Sequence, residues 1–188
     1  MCGIIGYVGD RPCRELILTG LERLEYRGYD SAGFALLDGN GGLAEAVRAV
    51  GNLAALREAA GSNGGSLATT GVGHTRWATH GRVTEANAHP HSSTDGSVIV
   101  VMNGIIENYT DLRSQLQNQG VVFASETDTE VVPQLIASEY RGDLVAAVQA
   151  VLPRLGGHFA FVAAHVAEPG RLVATRRECP LVIGVGEG

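Results

Sequence analysis

The chain has 188 residues, 45% hydrophobic and 18% charged, which is enough for one domain with a core and excludes both a disordered chain and two ordinary domains. A formal net charge of −6 without any Lys/Arg-rich run argues against nucleic acid, because phosphate binding wants a basic face. Apolar stretches such as Val98–Met102 are only strand-length, which excludes a bilayer crossing, and the N-terminus lacks the basic start and apolar core of a secretory signal.

Ile4–Val8 is a short apolar run ending at Gly9-Asp10, which predicts a strand and a turn. Asp10 can cap a helix with Pro12 in its first turn, and Leu16, Ile17, Leu21 and Leu24 recur at helical spacing until Gly28. Gly33–Leu37 predicts a second strand, and the run from Asp38 to Gly42 a hairpin-like turn. Asn52 to Ala60 reads as a helix, followed by a glycine-rich flexible run from Gly61 to Gly65. Val98–Met102 predicts a third strand, Asn108 to Gln119 a helix, and Val121–Ala124 another strand. Helices follow from Asp128 to Tyr140, with Pro133 near the start, and from Asp143 to Leu155. His158–His165, Leu172–Thr175 and Leu181–Val185 read as strands separated by Pro-containing turns. Strands come in groups with helices paired between them. That pattern favours a layered α+β architecture over a doubly wound nucleotide fold.

The three cysteines, Cys2, Cys13 and Cys179, are odd in number and scattered, which predicts free thiols in a reducing cytoplasm. Cys13 lies in the predicted helix and reads as a small buried hydrophobe. Cys2 follows the initiator and precedes a glycine. Removal of Met1 would give it a free α-amine, with an ordinary pKa of about 7.7–8.0, beside its own thiol. That is a nucleophile–base pair on one residue. The plainer reading, an ordinary second residue on a strand, is common.

His74-Thr75-Arg76-Trp77-Ala78-Thr79-His80-Gly81 reads as a glycine-flanked loop in which the fork of Arg76 suits a carboxylate. Asn103-Gly104 directly follows the Val98–Met102 strand. An amide donor beside a glycine N–H makes an oxyanion hole, although Asn-Gly is also the commonest strand-ending turn. Ser125-Glu126-Thr127-Asp128-Thr129-Glu130 reads as a capped helix start whose exposed carboxylate can hold an ammonium group. His80, His89 and His91 have no Cys or acid pair at matching spacing, so no metal and no cofactor is expected.

Taken in order, these pieces resemble the class II glutamine amidotransferases, and within them the branch that converts fructose 6-phosphate to glucosamine 6-phosphate. The matching strings are CGIIG from Cys2, LEYRGYDSAG from Leu24, HTRWATHG from His74, NAHPH from Asn87, NGIIEN from Asn103 and SETDTEV from Ser125. The resemblance implies a four-layer αββα sandwich of the N-terminal-nucleophile hydrolase type and a glutaminase domain over residues 1–188, cut within a sheet at its C-terminal end. It implies Cys2 as nucleophile with its α-amine as base, and Asn103 and Gly104 as the oxyanion hole. Arg76 would take the α-carboxylate of L-glutamine and Asp128 its α-ammonium. Thr79 and His80 would belong to a loop closing over the substrate, Trp77 would sit where ammonia leaves, and His89 would lie near the junction with a synthase half. Fructose 6-phosphate would be met only through sugar-isomerase domains outside this chain, in a homo-oligomeric full-length protein. Met102, where such proteins usually carry His, and Cys179, where they carry a small or hydroxyl residue, depart from the pattern. Two rival readings keep the fold: a glutaminase serving another acceptor, and a non-catalytic glutamine-sensing domain.

Overall fold

The structure, a computed structural model, describes residues 2–61, 66–78 and 81–186. Their strands are β1 (Gly3–Val8), β2 (Ser31–Leu37), β3 (Leu43–Val50), β4 (Thr70–Arg76), β5 (His91–Ser92), β6 (Val98–Ile106), β7 (Gly157–His165) and β8 (Leu172–Arg177). The helices are α1 (Arg14–Leu24), α2 (Leu53–Ala60), α3 (Tyr109–Asn118), α4 (Val131–Glu139) and α5 (Leu144–Val151). Among the described residues the strands form two antiparallel sheets, ordered β1-β4-β2-β3 and β5-β6-β7-β8.

Three apolar cores separate four layers. Between the sheets lie Ala35, Leu37, Val72, Ile99, Val101, Val162 and Ala164, which are small or branched enough to let the sheets approach closely. Ile17, Leu18 and Leu21 of α1 and Leu53 and Leu56 of α2 cover the outer face of the first sheet over Phe34 and Leu36. Leu112 and Leu116 of α3, Leu135 and Ile136 of α4 and Val148 of α5 cover the second over Val100, Phe159 and Phe161. Burying each such side chain stabilises the fold by about 1.5–3 kcal/mol. Both faces of β2 and β4 are therefore covered, and every residue of each is buried. This is the αββα sandwich that the resemblance implies, and it fits the layered α+β architecture read from the sequence pattern.

Several local expectations are corrected. The first helix starts at Arg14 rather than after an Asp10 cap, because the turn at 9–12 bonds instead to the segment leading into the adjacent β4: Gly9 N–H donates to Thr69 O and Cys13 N–H to Ala68 O. The stretch 70–76 is a fully buried strand, not the start of a loop. Strands β3 and β5, and the extension of β6 to Ile106, were not expected from the sequence. Residues 121–124 do not form a strand: Ala124 and Ser125 give their N–H groups to the carboxylate of Glu130 at 2.8 and 2.7 Å instead of to a ladder. Helix α4 begins at Val131, three residues later than expected, because 125–130 is held by that same carboxylate. Residues 181–185 pair with no strand among the described residues, and Val182 and Val185 are almost wholly exposed. Most of the glycine-rich run at 61–65 lies outside the described residues.

Candidate active site

The edge strand of the first sheet places Cys2. Strand β1 runs against β4 with Gly3 opposite Thr75, so one residue earlier Cys2 lies against the end of β4. There the N–H of Trp77 donates to Cys2 Sγ at 3.2 Å, and the thiol reaches Trp77 O at 3.5 Å. Burial raises the thiol's pKa, a shift opposed by the Trp77 N–H and by the charge of Arg76, and reinforced by Asp30. A thiol so placed needs a base to become a nucleophile.

The second sheet brings Asn103 and Gly104 to the same point. They lie inside β6, opposite Ala160 and Phe159 on β7, so the Asn-Gly pair is part of a strand and not the turn that follows one. Asn103 Nδ2 donates to the main-chain carbonyl of Cys2 at 3.2 Å. Gly104 sits at φ +103°, and a Cβ there would lie 2.0 Å from His158 O, so no other residue fits this backbone. Met102 points its side chain into the helix-covered core and leaves only its backbone to the site. Its departure from the expected histidine therefore changes packing behind the strand.

Arg76 and Asp128 are both buried. Arg76 Nη1 and Nη2 donate to Arg82 O and Gly81 O at 3.2 and 3.3 Å, tying the end of β4 to the far side of the following loop. Burial lowers the Arg76 pKa, against the opposing influence of Cys2, Asp128 and Asp30, yet a guanidinium remains charged at any ordinary pH. Asp128 Oδ2 accepts from Ile106 N at 2.7 Å, which fastens the 125–130 segment to the end of β6; its carboxylate is buried rather than exposed as expected. A small pocket is lined by Cys2, Arg76, Trp77, His89, Gly104 and Asp128, so the residues proposed from sequence converge on one place. Trp77 is half exposed at its rim, edge-on to Tyr29 at 5.6 Å. Thr79 and His80 lie outside the described residues.

His89 stands at the back of the pocket, buried and stacked on His74 with ring centroids 4.0 Å apart, with His91 4.7 Å away on its other side. Its Nδ1 accepts from Met102 N at 3.2 Å. Three further residues that sequence reasoning did not single out make hydrogen bonds here. Arg27 Nε donates to Cys2 O at 3.3 Å, Asp30 Oδ2 accepts from Ala78 N at 2.8 Å, and His74 bonds to Asn103. Arg27 and Asp30 sit in the LEYRGYDSAG string and His74 opens HTRWATHG, but no spacing rule marks them. Cys13 is fully buried beneath α1, and Cys179 is half-buried with its pKa raised by burial.

The sequence model of a family described as a glutamine amidotransferase domain matches residues 74–187, more than half of the chain. The chain belongs to that family. The amidotransferase domain is 55% identical over its whole length to the glutamine–fructose-6-phosphate aminotransferase (isomerizing) of Mycolicibacterium smegmatis, and spans 31% of that protein. It is 54% identical to the protein of the same name from Symbiobacterium thermophilum and spans 30% of it. The chain thus spans about a third of the length of the curated relatives it matches. Among solved structures it superposes on the glutamine phosphoribosylpyrophosphate amidotransferase of B. subtilis with a TM-score of 0.74 and 28% identity, covering 88% of this chain and 35% of that one. No described helix is long and apolar enough to cross a membrane.

Proposed function

We propose that this domain hydrolyses L-glutamine to glutamate and ammonia through a γ-glutamyl thioester on Cys2, and that a longer protein containing it uses the ammonia to convert fructose 6-phosphate to glucosamine 6-phosphate. The observation that carries the reading is the hydrogen bond from the Asn103 carboxamide of one sheet to the main-chain carbonyl of Cys2 on the other, with Cys2 and Gly104 lining one pocket. The α-amine of processed Cys2 takes the thiol proton, and sulfur attacks the carboxamide carbon. The resulting oxyanion is met by Asn103 Nδ2 and the Gly104 N–H. Collapse breaks the C–N bond, the nitrogen leaves as ammonia with the returned proton, and water then cleaves the thioester to glutamate. Arg76 and Asp128 supply the opposite charges that the α-carboxylate and α-ammonium of glutamine require. The fructose 6-phosphate acceptor is supported by the names of relatives that are 54–55% identical over this whole chain.

Glutamate release by the purified chain tests the hydrolysis. Cys2→Ala should abolish it while glutamine still binds; turnover above a trace would remove Cys2 from the nucleophile's role. While Met1 is attached the Cys2 nitrogen is a peptide nitrogen and no base, so an active preparation should show a mass lacking Met1. Activity from chains with intact Met1 would exclude the α-amine mechanism.

A further inference from the structure

We propose that His74 is a positioning residue that fixes which end of the Asn103 carboxamide faces Cys2, an inference that rests on the hydrolytic reading above. The two ends of a carboxamide have the same shape, so only hydrogen bonding decides whether nitrogen or oxygen is presented. Presented one way Asn103 donates to an oxyanion, and presented the other way it repels one.

The choice follows from one carbonyl. His74 reaches from β4 across the inter-sheet seam to β6, where its Nε2 lies 2.9 Å from Met102 O and 3.1 Å from Asn103 Oδ1. Met102 O can only accept, so Nε2 must carry the proton. That N–H, also facing the Asn103 carboxamide, favours its acceptor end and repels its NH2 end, which turns Oδ1 toward His74 and Nδ2 toward Cys2, where it donates to Cys2 O. The ring is fully buried, and its Nδ1 lone pair has no hydrogen-bond partner among the described residues. An unpartnered buried nitrogen disfavours the fold, and a phenyl ring would fill the same space without it. A histidine here is explained by its Nε2 side. The ring plane is held by the stack on His89, interplanar angle 13°, and His89 is itself fixed by the N–H of Met102. Burial lowers the His74 pKa to about 4, so the neutral ring with a single N–H is the form present near neutral pH.

The test uses the chain with Met1 removed and follows glutamate release. His74→Phe should lower kcat by about 10–100-fold, less than the about 10²–10³-fold expected for losing the donor itself, with the KM for glutamine within about twofold. His74→Gln, whose side-chain nitrogen reaches roughly the place of Nε2, should recover most of kcat; it also serves if the phenylalanine variant does not fold. In an Asn103→Ala background His74→Phe should add less than about a further twofold, because the group it orients is gone. Independent multiplication of the two losses would overturn the proposal, as would a raised KM with kcat retained, or failure of His74→Gln to exceed His74→Phe. An Asn103→Ala variant of unchanged kcat would instead remove the oxyanion role on which the proposal stands.

Discussion

At the scale of single residues, the proposed mechanism divides the site into groups that would hold glutamine and groups that would act only along the reaction. Arg76 is a fixed charge: its guanidinium is buried and anchored to Gly81 O and Arg82 O before any substrate arrives. Such a preset fork favours a carboxylate equally in the ground state and in the transition state. Arg76→Ala should therefore weaken glutamine binding by about 1.5–3 kcal/mol, read as a raised KM, with a further effect on the loop it ties down. Asn103 differs, because in the proposed mechanism the charge it would meet exists only after sulfur has attacked. Asn103→Ala should lower kcat by about 10²–10³-fold with little change in binding, measured as glutamine affinity in a Cys2→Ala background and turnover in the active enzyme. If Asn103→Ala lost affinity and kept turnover, the two assignments would have to be exchanged.

At the scale of elements, the segment 125–130 shows what the sequence disclosed and what it hid. Ser125 to Glu130 was legible as a polar lead into a helix, since its carboxylates precede an apolar helical run. It was not legible that Glu130 turns backward, taking the N–H groups of Ala124 and Ser125 and so abolishing the strand that Val121–Ala124 predicts. Local propensity cannot anticipate a buried carboxylate that replaces a ladder. Strand β4 was hidden for a related reason: its glycines and polar residues read as a loop, and only covering on both faces makes Thr70–Arg76 a central strand. By contrast α2, capped by Asn52, and α5, capped by Asp143, follow from patterns contained within a few residues. Of the candidate site, Cys2, Arg76, Asn103, Gly104 and Asp128 were legible through resemblance, whereas Arg27 and His74 depend on contacts between distant elements. The backward turn makes a prediction. Glu130→Ala should leave the N–H groups of Ala124 and Ser125, the second of them buried, without their carboxylate and destabilise the domain by about 1.5–3 kcal/mol in urea unfolding. It should also raise the KM for glutamine, because Asp128 rides on the same segment. Unchanged stability would mean that another group takes over those N–H bonds.

At the scale of the whole molecule, the seam between the two sheets is apolar through Val72, Ile99 and Val162 and becomes a cluster of histidines beside the site. His74 comes from the first sheet and His91 from the second, so the cluster lies where the halves of the sandwich meet. Burial is the leading cause of depression in each: His74 falls to about 4 and His91 to about 3, with the positive charges of Arg48 and Arg76 adding to the shift of His91, and His89 is lowered as well. In the unfolded chain each would titrate near about 6.5. Between about pH 6.5 and 4 the unfolded state therefore binds protons that the folded state refuses. By linkage, stability is full above about pH 6.5 and falls on acidification, levelling off only below the folded values. Each histidine contributes a slope of at most about 1.4 kcal/mol per pH unit, so His74 and His91 together should remove on the order of 3 kcal/mol between pH 6.5 and 5. Urea unfolding across that range checks the expectation. His91→Gln, which keeps a polar partner for Thr127 Oγ1 without a titrating ring, should flatten the slope by about one proton's worth. A stability curve that stays level from pH 6.5 to 5, or an unchanged slope in the His91 variant, would mean that the cluster accepts protons within the fold and that the seam admits charge.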